Sequence, residues 1–162
     1  MAAYIYPSAE WLEESTKQYG SEFENKLKKL SGYYAYRIKA NPEWGIEKDL
    51  MMCAVLDAGK LVRLEHCTEE DAKNNAKFIM AAEAHTWKRI LRKLDKFVGA
   101  FMAQRIKLEK GNTVKALGLA PHANTLVDSL TQVELKFPDE LSPDELAEFK
   151  TKFAEYRADK GL

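Results

Sequence analysis

Two cysteines, five prolines and eight glycines are few for a chain of 162 residues. Thiols so sparse exclude a disulfide-stapled scaffold, and so little proline and glycine excludes collagen-like or linker-like chains. No run approaches the roughly 20 apolar residues of a membrane span. The opening MAAYIYPSAEW has neither the basic nor the long apolar segment of a secretory leader, and the glycine of the closing Lys160-Gly161-Leu162 stands where a peroxisomal signal needs a basic residue. Net charge is absent as well. The 25 basic and 25 acidic residues cancel, leaving no overall basic field for nucleic acid and no strong charge that by itself calls for a membrane surface. A soluble, cytoplasmic protein without nucleic-acid partners or stable membrane insertion is expected, its partners chosen by shape or apolarity. At this length one domain burying about two-thirds of its unfolded surface is the default.

Catalytic and metal-binding residues are equally scarce. Among three histidines and two cysteines, His66 and Cys67 are neighbours that would point to opposite faces of a strand, and no pair has the spacing of metal ligands. Neither metal nor cofactor is expected. If Asp57-Ala58-Gly59-Lys60 turns a hairpin centred between Ala58 and Gly59, Cys53 faces Leu64 and Cys67 faces Leu50. The thiols then stand about 10 Å apart along the strands, beyond the about 7 Å reach of a disulfide, and both are read as reduced. A Cys–His pair assembled only in three dimensions stays open. Gly111-Asn112 fits neither phosphate-binding glycine pattern and reads as a turn. Glu13-Glu14, Glu69-Glu70 and Asp139-Glu140 fall at helix starts or on solvated faces, where negative charge suits the helix dipole. No nucleophile and base are positioned together by any of these patterns, so no catalysis is expected.

What is present is periodic. Ser8 can cap a first helix carrying Trp11 and Leu12; Ser21 with Glu24 reads as the capping box of a second, with Phe23, Leu27 and Leu30 as its stripe. Tyr33 to Ala40 alternates as a strand with Tyr34, Tyr36 and Ile38 on one face, ended by Asn41-Pro42. Leu50 to Leu56 is apolar on both faces, as in a central strand at least partly covered on both sides, and Leu61 to His66 pairs back on it. Ala76 to Ala82 is a fourth strand. Trp87, Ile90, Leu91 and Leu94 stripe the next helix, Phe97, Val98, Phe101 and Met102 another, and Ile106 and Leu108 alternate as a fifth strand. Pro121 suits the first turn of a helix striped by Ala123, Leu126, Val127, Leu130 and Val133. This order is α+β, without regular βαβ alternation. Beyond Phe137-Pro138-Asp139, Ser142-Pro143-Asp144-Glu145 is a capping box opening an appended amphipathic helix with Leu146, Phe149, Phe153 and Tyr156 on one face.

The remaining apolar endowment is bulky and adaptable, as in a plain core or in a ligand pocket. Here a resemblance adds to the pattern. The segment AKFIMAAEAHTWKRILRKLDKFVGAFMAQRIKLEKGN resembles the sterol carrier protein type-two family of lipid-binding domains, and YIYPSAEW is similar to the start of its prokaryotic members. Trp87 and Gly111 match the family pattern, Asn112 stands for its aspartate, Lys96 follows Asp95 in place of proline, and Gln104-Arg105 replaces Gly-Lys. The likeness runs from about residue 4 to 137 by order of elements.

The resemblance implies a five-stranded sheet covered on one side by helices, with an apolar tunnel between them for a long-chain lipid: fatty acid, acyl-CoA, phospholipid or sterol. It implies no catalytic residues. Residues 1–137 are then the lipid-binding domain, and 138–162 a linker and extra C-terminal helix. Tyr34, Tyr36, Phe78, Met80, Trp87, Phe101 and Met102 are the expected lining. At about 0.8 kcal/mol per buried methylene, most of a 16-carbon chain would bring roughly 10 kcal/mol before the costs of association. The alternative is a protein-interaction or homodimerising module that uses the C-terminal helix and has a filled core.

Overall fold

A computed structural model describes residues 3–162. A two-residue strand, β1 (Tyr4–Ile5), leads into α1 (Ala9–Gln18), and the Ser8 hydroxyl caps that helix by accepting the Trp11 N–H at 3.3 Å. Gly20, rather than Ser21, precedes α2 (Ser21–Lys26) as its cap, so the expected Ser21–Glu24 capping box does not form. Then come β2 (Gly32–Ile38), β3 (Leu50–Asp57), β4 (Lys60–Cys67), α3 (Glu69–Asn75), β5 (Phe78–Ala82), α4 (Ala84–Leu91) and α5 (Phe97–Met102). The chain ends with β6 (Lys107–Lys110), α6 (Thr113–Leu117), α7 (Ala120–Leu130), β7 (Leu135–Lys136) and α8 (Pro143–Lys160).

Five strands form one sheet in the order β4-β3-β2-β5-β6, antiparallel except for the central β2–β5 pair. Alternation along β2 turns Tyr34, Tyr36 and Ile38 toward the main core, while Ala35 joins a smaller cluster on the other face. The fold is α+β. The main core lies between the sheet and a layer in which α7 packs against α1, α2, α4 and α5. The second face of the sheet is partly covered by α3, which explains why β3 is apolar on both sides.

The hairpin turns where expected, pairing Asp57 with Lys60, but its register slips by one residue between Val55 and Leu56. Val62 is the extra residue, 59% exposed, and Cys53 faces Glu65 while Cys67 faces Met51. Both thiols therefore share the second face in one cluster, rather than standing three positions apart. They are free and buried. A hydrogen bond with Cys67 and burial push the Cys53 thiol up, while the Cys67 thiol is drawn below its ordinary value by Cys53.

The C-terminal helix carries the expected capping box: the Ser142 hydroxyl accepts the Glu145 N–H at 3.2 Å and a Glu145 carboxylate oxygen accepts the Ser142 N–H at 3.1 Å. Phe149 and Phe153 are buried against the chain's own core, and Arg157 donates to the Lys48 and Asp49 carbonyls at 2.7 and 2.8 Å. Of the four residues expected on that face, Phe149 and Phe153 are thus buried within the molecule, and Leu146 and Tyr156 are half-buried. At the other end, β1 pairs in parallel with β7 and draws the start of the chain to the end of the helical layer.

Candidate functional site

Between the sheet and the helical layer lies a cavity of about 80 Å³ with no charged side chain on its wall. Its floor is Tyr36 and Ile38 from β2, Met52 from β3 and Met80 from β5. These positions meet because alternation sends every second residue of three adjacent strands to the same face. The walls are Trp87, Ile90 and Leu91 of α4, Phe97 of α5, and Ala123, Leu126, Val127 and Leu130 of α7, with Tyr6 and Trp11 at the end nearest α1.

The two indole N–H groups of the wall are bonded to backbone carbonyls. The Trp11 indole N–H donates to the Leu130 carbonyl at 2.8 Å and the Trp87 indole N–H to the Arg37 carbonyl at 3.0 Å. Both rings are thereby fixed with hydrocarbon faces free for contact. Tyr36 meets Trp87 edge to face at 5.7 Å. Burial raises the phenol pKa of Tyr6 and Tyr36, so both stay neutral and the cavity carries no charge near neutral pH.

Of the seven residues expected to line a ligand space, Tyr36, Met80 and Trp87 come together here. Tyr34 and Phe78 lie outside the wall, stacked on each other at 6.0 Å, with the Tyr34 hydroxyl donating to the Ser31 carbonyl at 3.3 Å. Phe101 is half-buried against Phe97 and is not on the wall. Met102 is 67% exposed on the outer face of α5, because that helix buries Phe97 and Ala100 instead. Leu94 likewise falls outside α4, which ends at Leu91. The largest omission is α7. Its stripe was readable as the apolar face of a helix, and such a face on a layer above a sheet is the signal that would have placed it on the wall.

The reactive residues are elsewhere. His66 Nδ1 is 2.7 Å from the Tyr156 hydroxyl beneath α8, His85 packs edge-on to Trp44 at 4.6 Å, and both cysteines are on the far face of the sheet. Among the described residues no group of three His, Cys, Asp or Glu side chains is placed to hold a metal ion, and no helix is long and apolar enough to cross a membrane.

No protein-family model matches the chain, and no curated protein matches it. Solved structures do. A crystal structure of sterol carrier protein 2 superposes with a TM-score of 0.65 at 20% identity, over 78% of this chain and 97% of that one. The chain has the sterol carrier protein 2 fold. A conserved hypothetical protein from Thermus thermophilus matches with a TM-score of 0.68 at 19% identity, over 83% of this chain and 94% of that one. Palmitated SCP2L2 from Aedes aegypti matches with a TM-score of 0.51 at 16% identity, over 70% and 90% of the two chains. In the terms of the sterol carrier fold, the cavity occupies the interval between its five-stranded sheet and its helices.

Proposed function

We propose that the protein binds a long-chain lipid noncovalently and releases it unchanged, holding the chain between sheet and helices. The observation that carries this reading is the uncharged cavity between Tyr36, Met52 and Met80 on one side and α4 and α7 on the other. A wall of this kind favours a hydrocarbon chain by removing about 0.8 kcal/mol worth of exposed surface per methylene. Palmitate on a protein of the same fold supports a fatty-acyl chain as the ligand class. Residues 1–137 form the lipid-binding unit in this reading, and 138–162 an appended strap.

The free volume sets a condition. An apolar cavity of about 150 Å³ takes up a benzene ring, so the about 80 Å³ between sheet and helices does not hold a long chain until a wall moves. The mobile wall in this reading is α7, whose lining residues Ala123, Leu126, Val127 and Leu130 are only half-buried, whereas Trp87, Ile90 and Leu91 of α4 are buried. Its outward shift widens the space without breaking the sheet.

Native mass spectrometry of the purified protein, followed by solvent extraction, tests the reading. Stoichiometric release of a fatty acid, acyl-CoA, phospholipid or sterol supports it and names the class. A clean protein mass, together with no uptake of fluorescent fatty-acid or sterol analogues, overturns it in favour of a filled core. Ala123→Leu, which narrows the cavity from α7, is expected to lower fatty-acid uptake at least about tenfold at a cost of about 1–3 kcal/mol in stability.

A further inference from the structure

The helix α5 reads Phe-Val-Gly-Ala-Phe-Met, without one polar or charged side chain. A helix apolar on every side is ordinarily buried on every side. Here only Phe97 and Ala100 are buried, whereas Val98 is 41% and Met102 67% exposed, with Leu94 at 64% in the linker just before. A Cβ built on Gly99 would meet nothing within 4 Å, so the outer face of the helix is open at its middle. Leu94, Val98 and Met102 recur every four residues, and they are three of the five large exposed apolar side chains among the described residues. Such clustering marks a contact surface rather than scattered exposure.

Charge says what the contact is. Residues 88–115 hold nine lysines and arginines against two acidic residues, a surplus of seven in a chain whose 25 basic and 25 acidic residues otherwise cancel. Part of this surplus is tied down by carboxylates from elsewhere: Lys88 by Asp139, Arg92 by Glu140 and Lys93 by Asp128. The one acidic residue beside the stripe, Asp95, is held by Arg89 at 2.8 Å and lies 3.9 Å from Arg105. Lys96 at the N-terminal end of α5 and Arg105 beyond its C-terminal end are exposed and flank the stripe.

We propose that the outer face of α5, with Leu94, Val98 and Met102 inserted and Lys96 and Arg105 at the rim, docks on the surface of an anionic lipid bilayer. Short apolar side chains between basic ones suit the boundary of headgroups and acyl chains, where the helix lies in the plane without spanning. A second copy of the chain would bring a like-charged surface against this one. Phe97 on the inner side of the same helix lines the cavity, so docking sets that wall against the bilayer. This last consequence rests on the lipid-carrying reading; docking itself does not.

Co-sedimentation of the full chain with vesicles of phosphatidylcholine, with and without phosphatidylserine, tests the proposal with no fatty acid added. Sedimentation with the phosphatidylserine vesicles, reversed by salt, is expected. Lys96→Gln weakens it about fivefold and Val98→Glu at least about tenfold, while fatty-acid uptake by both variants without vesicles equals that of the parent. Circular dichroism checks that Val98→Glu folds, and Lys96→Gln decides if it does not. The proposal is overturned if the parent stays in the supernatant with both vesicles, sediments equally with both, or binds no worse after Lys96→Gln. It is also overturned, in favour of a second copy, if sedimentation velocity finds self-association that Val98→Glu abolishes. Docking without any fatty-acid uptake would retain this surface and discard the carrier reading.

Discussion

His66 is 7% exposed on β4, with Nδ1 2.7 Å from the Tyr156 hydroxyl of α8 and Nε2 buried without a hydrogen bond. Burial pushes its pKa down from 6.5 to about 4; the Pro7 carbonyl offsets part of that effect, and the Arg157 guanidinium adds a smaller repulsion. The imidazole is thus neutral in the fold and more easily protonated once unfolded. Its stabilising effect is fully present above pH 6.5 and is lost as pH falls toward 4. From this group alone, stability at pH 5 is expected to be about 2 kcal/mol lower than at pH 7. Urea midpoints at the two pH values, compared with those of His66→Phe, check it: the variant should have the flatter slope. A second residue-scale prediction concerns the hairpin, where Ala58 has φ 48 and Gly59 φ 85. The left-handed region penalises alanine but suits asparagine ahead of glycine, so Ala58→Asn is expected to stabilise by about 1 kcal/mol in thermal or urea unfolding.

At the scale of elements, α8 is fastened from both ends of its buried face. Phe149 and Phe153 pack into the core, and the Arg157 guanidinium closes on two carbonyls ahead of β3. None of these residues is on the cavity wall. Phe153→Ala is therefore expected to cost about 3 kcal/mol of stability and to leave the fatty-acid affinity of the folded protein unchanged; weakened affinity in a titration would make α8 a lid instead. The existence of α8, of the hairpin and of the alternation in β2 was legible because each has a strong local cause: a capping box, a two-residue turn, a period of two. The helix α3 was missed although Thr68 caps it, its hydroxyl accepting the Asp71 N–H at 3.1 Å ahead of an acidic first turn. What the sequence could not reveal was the bulge at Val62 and the orientation of α5. A bulge inserts one residue without any compositional mark, and in a helix with no polar residue periodicity has no reference by which to choose the inner face. The changed cysteine register and the exposure of Met102 have these two origins.

For the whole molecule, a total charge of zero concealed a segregated one. The basic surplus of residues 88–115 is balanced by an equal acidic excess over the rest of the chain, so a sum over the sequence hides a polarity that a sum over a segment reveals. The fold was readable at this scale because strand and helix periods follow one another in the order of the sterol carrier fold, whereas the size of the space between the layers depends on side-chain packing that no one-dimensional pattern records. That size has a consequence for time rather than affinity. In the carrier reading, with about 80 Å³ between sheet and helices, entry of a long chain must wait for the wall to open. Followed by stopped-flow fluorescence, the rate of uptake is therefore expected to level off as fatty acid is raised, its plateau being the frequency at which the unaided protein opens, instead of climbing in proportion to concentration as in simple collision.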